Sequence, residues 1–276
     1  MPHRSVGATL LAAAMLLLPA LVGAHELFLR PDSFFLKPHS KELLKLVNGT
    51  FDQSLATFAR NRMTEVSIAA EGRVTHPPAS DWYDAGTATY LNFTTGAAGT
   101  YVAGVSTRAG SRTQTAAEFR EFLRIYGVQD GLASFDANNK LAAVRHRLSK
   151  HVKAVVQVGD GPGSEHATRL GHPVEIVPTR NPYRLGPDEA FTFQILHQGR
   201  PVANQLVHAS HAGFNEDDNA PKRVNALHLR TDANGVASFK PDRKSAWYVT
   251  VIHLQPMNDG TLDFESTWAT LAFETK

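Results

Sequence analysis

The chain has 276 residues, no cysteine, thirteen histidines and a formal net charge of +2. The missing cysteine excludes disulfides, thiolate metal sites and a lipid anchor through a Cys, so stability has to come from burial. Opposite charges are interspersed, which points away from nucleic acid and from anionic membrane surfaces as partners.

Arg4 precedes an apolar run from Ala8 to Val22, and Val22-Gly23-Ala24 follows it with small or modest side chains. The run is shorter than the roughly 20 residues that cross a hydrocarbon core. A positive start, a short apolar core and a small-residue exit predict a secretory signal peptide over residues 1–24. Cleavage after Ala24 would make His25 the first residue of the mature chain. Its free α-amine and Nδ1 can then close a chelate ring on one metal ion. The amine, with a reference pKa of about 7.7–8.0, yields its proton to a metal at neutral pH.

From His25 to Thr107 the pattern is β. Leu27 and Leu29, then Phe34 and Leu36, recur at two-residue spacing, with prolines suited to edges and turns. Apolar alternation continues around a Glu71-Gly72 turn, and two strands are predicted at Tyr90–Thr94 and Tyr101–Thr107. Between about 113 and 150 the period changes. Thr115 and Glu118 form a capping-box pattern ahead of Phe119, Phe122, Leu123 and Tyr126, which have helical spacing up to Gly127. The spacing of Leu141, Val144 and Leu148 predicts a second helix over Asn138–Lys150.

"HVKAVVQVGD" returns to a strand, and "GPGSEHATRLGHP" reads as a boundary or surface loop. After Pro173, about seven short strands follow, among them "EAFTFQILHQGRPV", in which Phe191, Phe193 and Ile195 share a face. "TDANG" reads as a hairpin turn. The predicted fold is therefore mainly β. It has two β-sandwich domains, 25–160 with the helical excursion and 173–276 of immunoglobulin or transthyretin-like type.

Among the histidines, His253 ends the apolar strand face formed by Val249 and Val251. The returning segment "LDFESTW" would bring Asp263 or Glu265 beside it, as a metal ligand or as a carboxylate that orients the imidazole. His208 and His211 sit on opposite faces of a strand, and His146, His151, His166, His172 and His228 read as structural or solvated. No nucleophile elbow, phosphate loop, dinucleotide fingerprint or zinc-helix motif is present.

The order of "AHELFLRP", "AEFREFLRIYGV", "KHVKAVVQVGD", "VEIVPTRNPYRL", "RTDANGVASF", "WYVTVIHL" and "FESTWATLAF" resembles the bacterial periplasmic proteins grouped as domain-of-unknown-function 4198. The resemblance implies a periplasmic two-domain β protein associated with nickel or cobalt uptake. It further implies His25 and His253 as leading metal ligands, and an inner-membrane transporter or outer-membrane receptor as partner. Nitrogen-rich ligation without thiolate suits nickel, cobalt, copper or zinc, with copper favoured by intrinsic affinity. Two other readings stay open. One is a metal-free carbohydrate-binding or adhesion sandwich. The other is a copper-dependent oxidase, against which stands the lack of an aromatic run that would mark a polymer-binding face.

Overall fold

The computed structural model describes residues 25–138, 140–214, 226–257 and 259–276. The predicted signal peptide lies outside them. Among the described residues, no helix is long and apolar enough to cross a membrane.

The N-terminal half contributes β1 (Glu26–Leu29), β2 (Phe35–Leu36), β3 (Lys41–Gly49), β4 (Met63–Ala70), β5 (Arg73–Thr75), β6 (Trp82–Ala85), β7 (Ala88–Thr94), β8 (Gly99–Thr107) and β9 (Gly110–Thr115). Two helices follow, α1 (Ala116–Ile125) and α2 (Gln129–Asn138), and then the long β10 (Ala143–Val158). The C-terminal half contributes β11 (Val174–Pro178), β12 (Phe191–His197), β13 (Arg200–Pro201), β14 (Leu206–His211), β15 (Leu227–Arg230), β16 (Val236–Phe239), β17 (Ala246–Pro256) and β18 (Phe264–Glu274).

One sheet runs through both halves in the order β15-β14-β17-β18-β10-β8-β4-β5, with β2 and β9 also pairing β10. Its centre is a parallel pairing of β10 with β18, from His146 opposite Phe264 to Ala154 opposite Ala272. A second sheet, β1-β3-β7-β6, covers one face of it. A third, in which β12 pairs with β11, β13 and β16, covers the other. Alternation along β10 explains the arrangement, because successive side chains leave a strand on opposite sides. Val152, Ala154 and Val156 enter the core beneath the second sheet. Val155 enters the core beneath the third, with Phe191, Phe193, Ile195 and Leu271. The two sandwiches thus share a sheet. Phe191, Phe193 and Ile195 are completely buried on their common face, and each contributes about 1.5–3 kcal/mol relative to an exposed side chain.

The helical excursion is shorter than its sequence pattern predicts. The first helix forms as read: Thr115 Oγ1 accepts from the Glu118 amide at 3.2 Å, and the Glu118 carboxylate accepts from the Thr115 amide at 2.7 Å. Gly127, at φ 65°, lets the chain turn away at its end. The helix expected over Asn138–Lys150 is replaced by α2, which ends at Asn138, and by the first half of β10. Val144 and His146 are buried while Arg145 and Arg147 are partly exposed. The strand period therefore runs through a buried polar residue, which hid it behind the apparent helical stripe. Pairing with β9 and β18 decides the matter. The helices pack Phe119, Leu123 and Phe135 onto Val144, Ile252 and Trp268.

The segment read as a boundary or surface loop runs close against the start of β8. A Cβ at Gly163 would come within 2.3 Å of the Thr100 backbone nitrogen, and one at Gly161 within 2.5 Å of the Ala98 carbonyl oxygen. The "TDANG" turn joins strands of different sheets, since β15 pairs with β14 and β16 with β12.

Candidate functional site

At one end of the C-terminal sandwich, two imidazoles meet across the gap between the facing sheets. His197 closes β12, and Gln198 (φ 49°) and Gly199 (φ 75°) then turn the chain into β13. His253 lies on β17 with its ring centroid 4.5 Å from that of His197, the planes inclined at 42°. Gln205, just before β14, accepts a hydrogen bond on Oε1 from His253 Nδ1 at 2.9 Å. The Gln205 amide nitrogen donates to the Leu206 carbonyl at 3.0 Å, which fixes the amide's orientation.

With Nδ1 carrying the proton, Nε2 is the lone-pair nitrogen, and it is buried without a hydrogen-bond partner. Burial, helped by the neighbouring His197, pushes the His253 pKa down to about 4, so the ring is neutral at pH 7. A neutral imidazole whose N–H is held by a carbonyl oxygen is the form in which histidine serves as a metal ligand.

The pair opens into a cleft of about 590 Å³ lined also by Gln198, Arg200, Pro201 and Gln255. His253, Val202 and Ala203 also border a second cavity of about 600 Å³ that reaches Phe135 and Val128 of the helical region.

The residues singled out in the sequence are distributed as follows. His253 pairs with Thr267 in the β17–β18 register, and Glu265 lies two residues along, opposite Gln255. The Glu265 carboxylate accepts from Arg147 Nε at 2.7 Å. Asp263 is held by the Arg145 guanidinium and backbone amide, both at 2.7 Å, and those bonds keep its carboxyl below the usual range. His25 immediately precedes β1, at the edge of the second sheet, and its carbonyl accepts from Lys150 Nζ. Among the described residues, no three His, Asp or Glu side chains gather where one ion could be held.

His197 was not singled out in the sequence. The available signal was its position: it ends an alternating apolar strand directly before a Gln-Gly turn, where a side chain reaches the rim of a sandwich. Other histidines have structural settings. His151 is buried between the Ser106 and Ser149 hydroxyls, each 3.0 Å away. His208 is buried against His228, centroids 4.7 Å apart. An aromatic surface that the sequence hid also emerges. Tyr83 and Tyr90, opposite each other on β6 and β7, stack at 5.4 Å on the outer side of the second sheet.

The fold and site define a protein of β-sandwiches joined through a shared sheet, with a two-histidine cleft at one end. The chain belongs to the family described as "Domain of unknown function (DUF4198)", whose model matches residues 22–255. No curated protein matches it. Similar solved structures include the D0-D1 domain of intimin, 12% identical, covering 91% of this chain and 98% of that one at a TM-score of 0.21. Another is trypsin-activated alpha-2-macroglobulin from Escherichia coli, 10% identical, covering 91% of this chain and 16% of that one at a TM-score of 0.22. At such scores neither likeness bears on function.

Proposed function

We propose that this protein binds a divalent transition metal as cargo, through His197 and His253, in association with metal uptake. The observation that carries the reading is the His253 imidazole. Its proton is pinned by Gln205, and its buried lone-pair nitrogen has no hydrogen-bond partner beside a second imidazole. Nitrogen donors suit nickel, cobalt, copper and zinc, and since intrinsic affinity favours copper, availability rather than affinity would select nickel or cobalt. The signal-peptide pattern of residues 1–24 supports export to the periplasm, where an inner-membrane transporter or an outer-membrane receptor would exchange the ion.

In this reading Asp263 and Glu265 brace the β10–β18 seam through their arginines instead of touching metal. His25 is a separate candidate ligand, dependent on cleavage after Ala24. Titration calorimetry with Ni(II) tests the assignment. His197→Ala and His253→Ala each weaken binding at least tenfold, while an Ala inserted before His25 leaves it unchanged. Unaltered affinity in both histidine variants would overturn the reading.

One observation favours a second reading, carbohydrate binding. Tyr83 is 41% exposed and stacks on Tyr90. Lys45 lies opposite Tyr90 and the exposed Leu43 opposite Asn92 on the neighbouring strand. Sugars pack on such aromatic surfaces. Loss of retardation in a polysaccharide gel on Tyr83→Ala would support it, and no retardation of the unaltered protein would exclude it for the glycans tried.

A further inference from the structure

We infer that the cleft takes its metal as a complex with an anionic, carboxylate-bearing small organic chelator rather than as the bare ion. The inference rests on the two-histidine site proposed above and specifies what that site carries.

Ligand count is the first argument. Two imidazoles occupy part of a coordination shell, and a four-coordinate ion keeps about two positions open. Among the described residues, no third His, Asp or Glu joins the pair. Among the described residues those open positions are left without a protein carboxylate or imidazole, and the cleft of about 590 Å³ has room for a small organic molecule beside the rings to fill them.

Charge is the second argument. Apart from the two histidines, Arg200 is the one ionic side chain among the described residues lining the cleft; the others are amides and small apolar groups. The carboxylate that faces Gln255 across the strands, Glu265, is bound to Arg147. A bare dication entering here would meet, among the described residues, a guanidinium and no compensating anion. A metal wrapped in carboxylates reverses that balance. Its charge is neutral or negative, the Arg200 guanidinium can bind a carboxylate in bidentate fashion, and the Gln198 and Gln255 amides supply further donors. His197 and His253 then fill the positions that the chelator leaves open.

Calorimetric titration of the full chain with three probes separates the possibilities. They are Ni(II) chloride, the 1:1 Ni(II)–citrate complex, which is anionic, and the 1:1 Ni(II)–ethylenediamine complex, which is cationic. The citrate complex binds at least tenfold more tightly than the ethylenediamine complex, and Arg200→Glu, a change at an exposed position, removes that preference. Equal affinities for the two complexes, or a preference that survives Arg200→Glu, would overturn the chelator inference and leave the metal reading standing. Failure of all three probes to bind would overturn both.

Discussion

Lys153 and Glu175 form an ion pair in the interior, with Nζ and Oε1 2.9 Å apart and the two side chains only 1% and 2% exposed. Glu175 also accepts from the Leu170 and Gly171 amides, and Lys153 donates to the Thr168 carbonyl. The pair therefore ties the segment between the halves to the central strand. Removing one partner leaves a buried charge uncompensated, which costs about 3–5 kcal/mol. Lys153→Met and Glu175→Gln are each expected to lose stability of that order in urea unfolding. The double variant should lose clearly less than their sum, because no charge is left stranded and the substituted amide still offers an oxygen to the Leu170 N–H. Simple additivity would contradict this.

Stability should fall steeply on mild acidification. His146, His151 and His172 all have their pKa pushed down to about 3, chiefly by burial. In the unfolded chain they titrate near the ordinary value of about 6.5. The unfolded state therefore binds more protons between about pH 6.5 and pH 3, and stability is lost progressively as pH falls through that window. At about pH 5 each histidine costs about 2 kcal/mol relative to neutral pH. Unfolding free energies at pH 7 and pH 5 check this; equal values would contradict it.

Gly163→Ala should destabilise by about 1–3 kcal/mol through overpacking, since the added Cβ falls 2.2 Å from Thr100 Oγ1 and 2.3 Å from its backbone nitrogen. Gly171→Ala meets no neighbouring atom, although its φ of 78° strains any side chain. Hydrogen exchange distinguishes them: only the Gly163 change should expose amides of β8.

Gln205→Ala should weaken metal binding roughly 10- to 100-fold, the usual effect of losing a partner that orients a ligand histidine. The histidines themselves remain in place. Calorimetry with Ni(II) reads the effect, and unchanged affinity would show that the Gln205–His253 bond is only structural.

The strands were legible because apolar alternation is local: Phe191, Phe193 and Ile195 had to share a buried face, and they do. The capping box at Thr115 and Glu118 was legible for the same reason. Long-range pairing was not. The start of β10 follows two-residue alternation through a buried His146 and the partly exposed arginines Arg145 and Arg147, whose partners lie over a hundred residues away. A pattern search that counts only apolar residues therefore finds a helix there. The sharing of one sheet by both sandwiches has no local signature at all. At the site, His253 was found from its strand face, while its neighbour His197 came from another sheet. The carboxylates Asp263 and Glu265 stood close in sequence, yet each is engaged by an arginine from β10.

Paramagnetic NMR with Co(II) on imidazole-labelled protein reads the metal's ligands directly. Substoichiometric cobalt should strongly shift or broaden the ring signals of His197 and His253 first, leaving the buried His146, His151 and His172 signals in place. Primary perturbation of any other histidine, or of none, would contradict the two-histidine cleft as the seat of function.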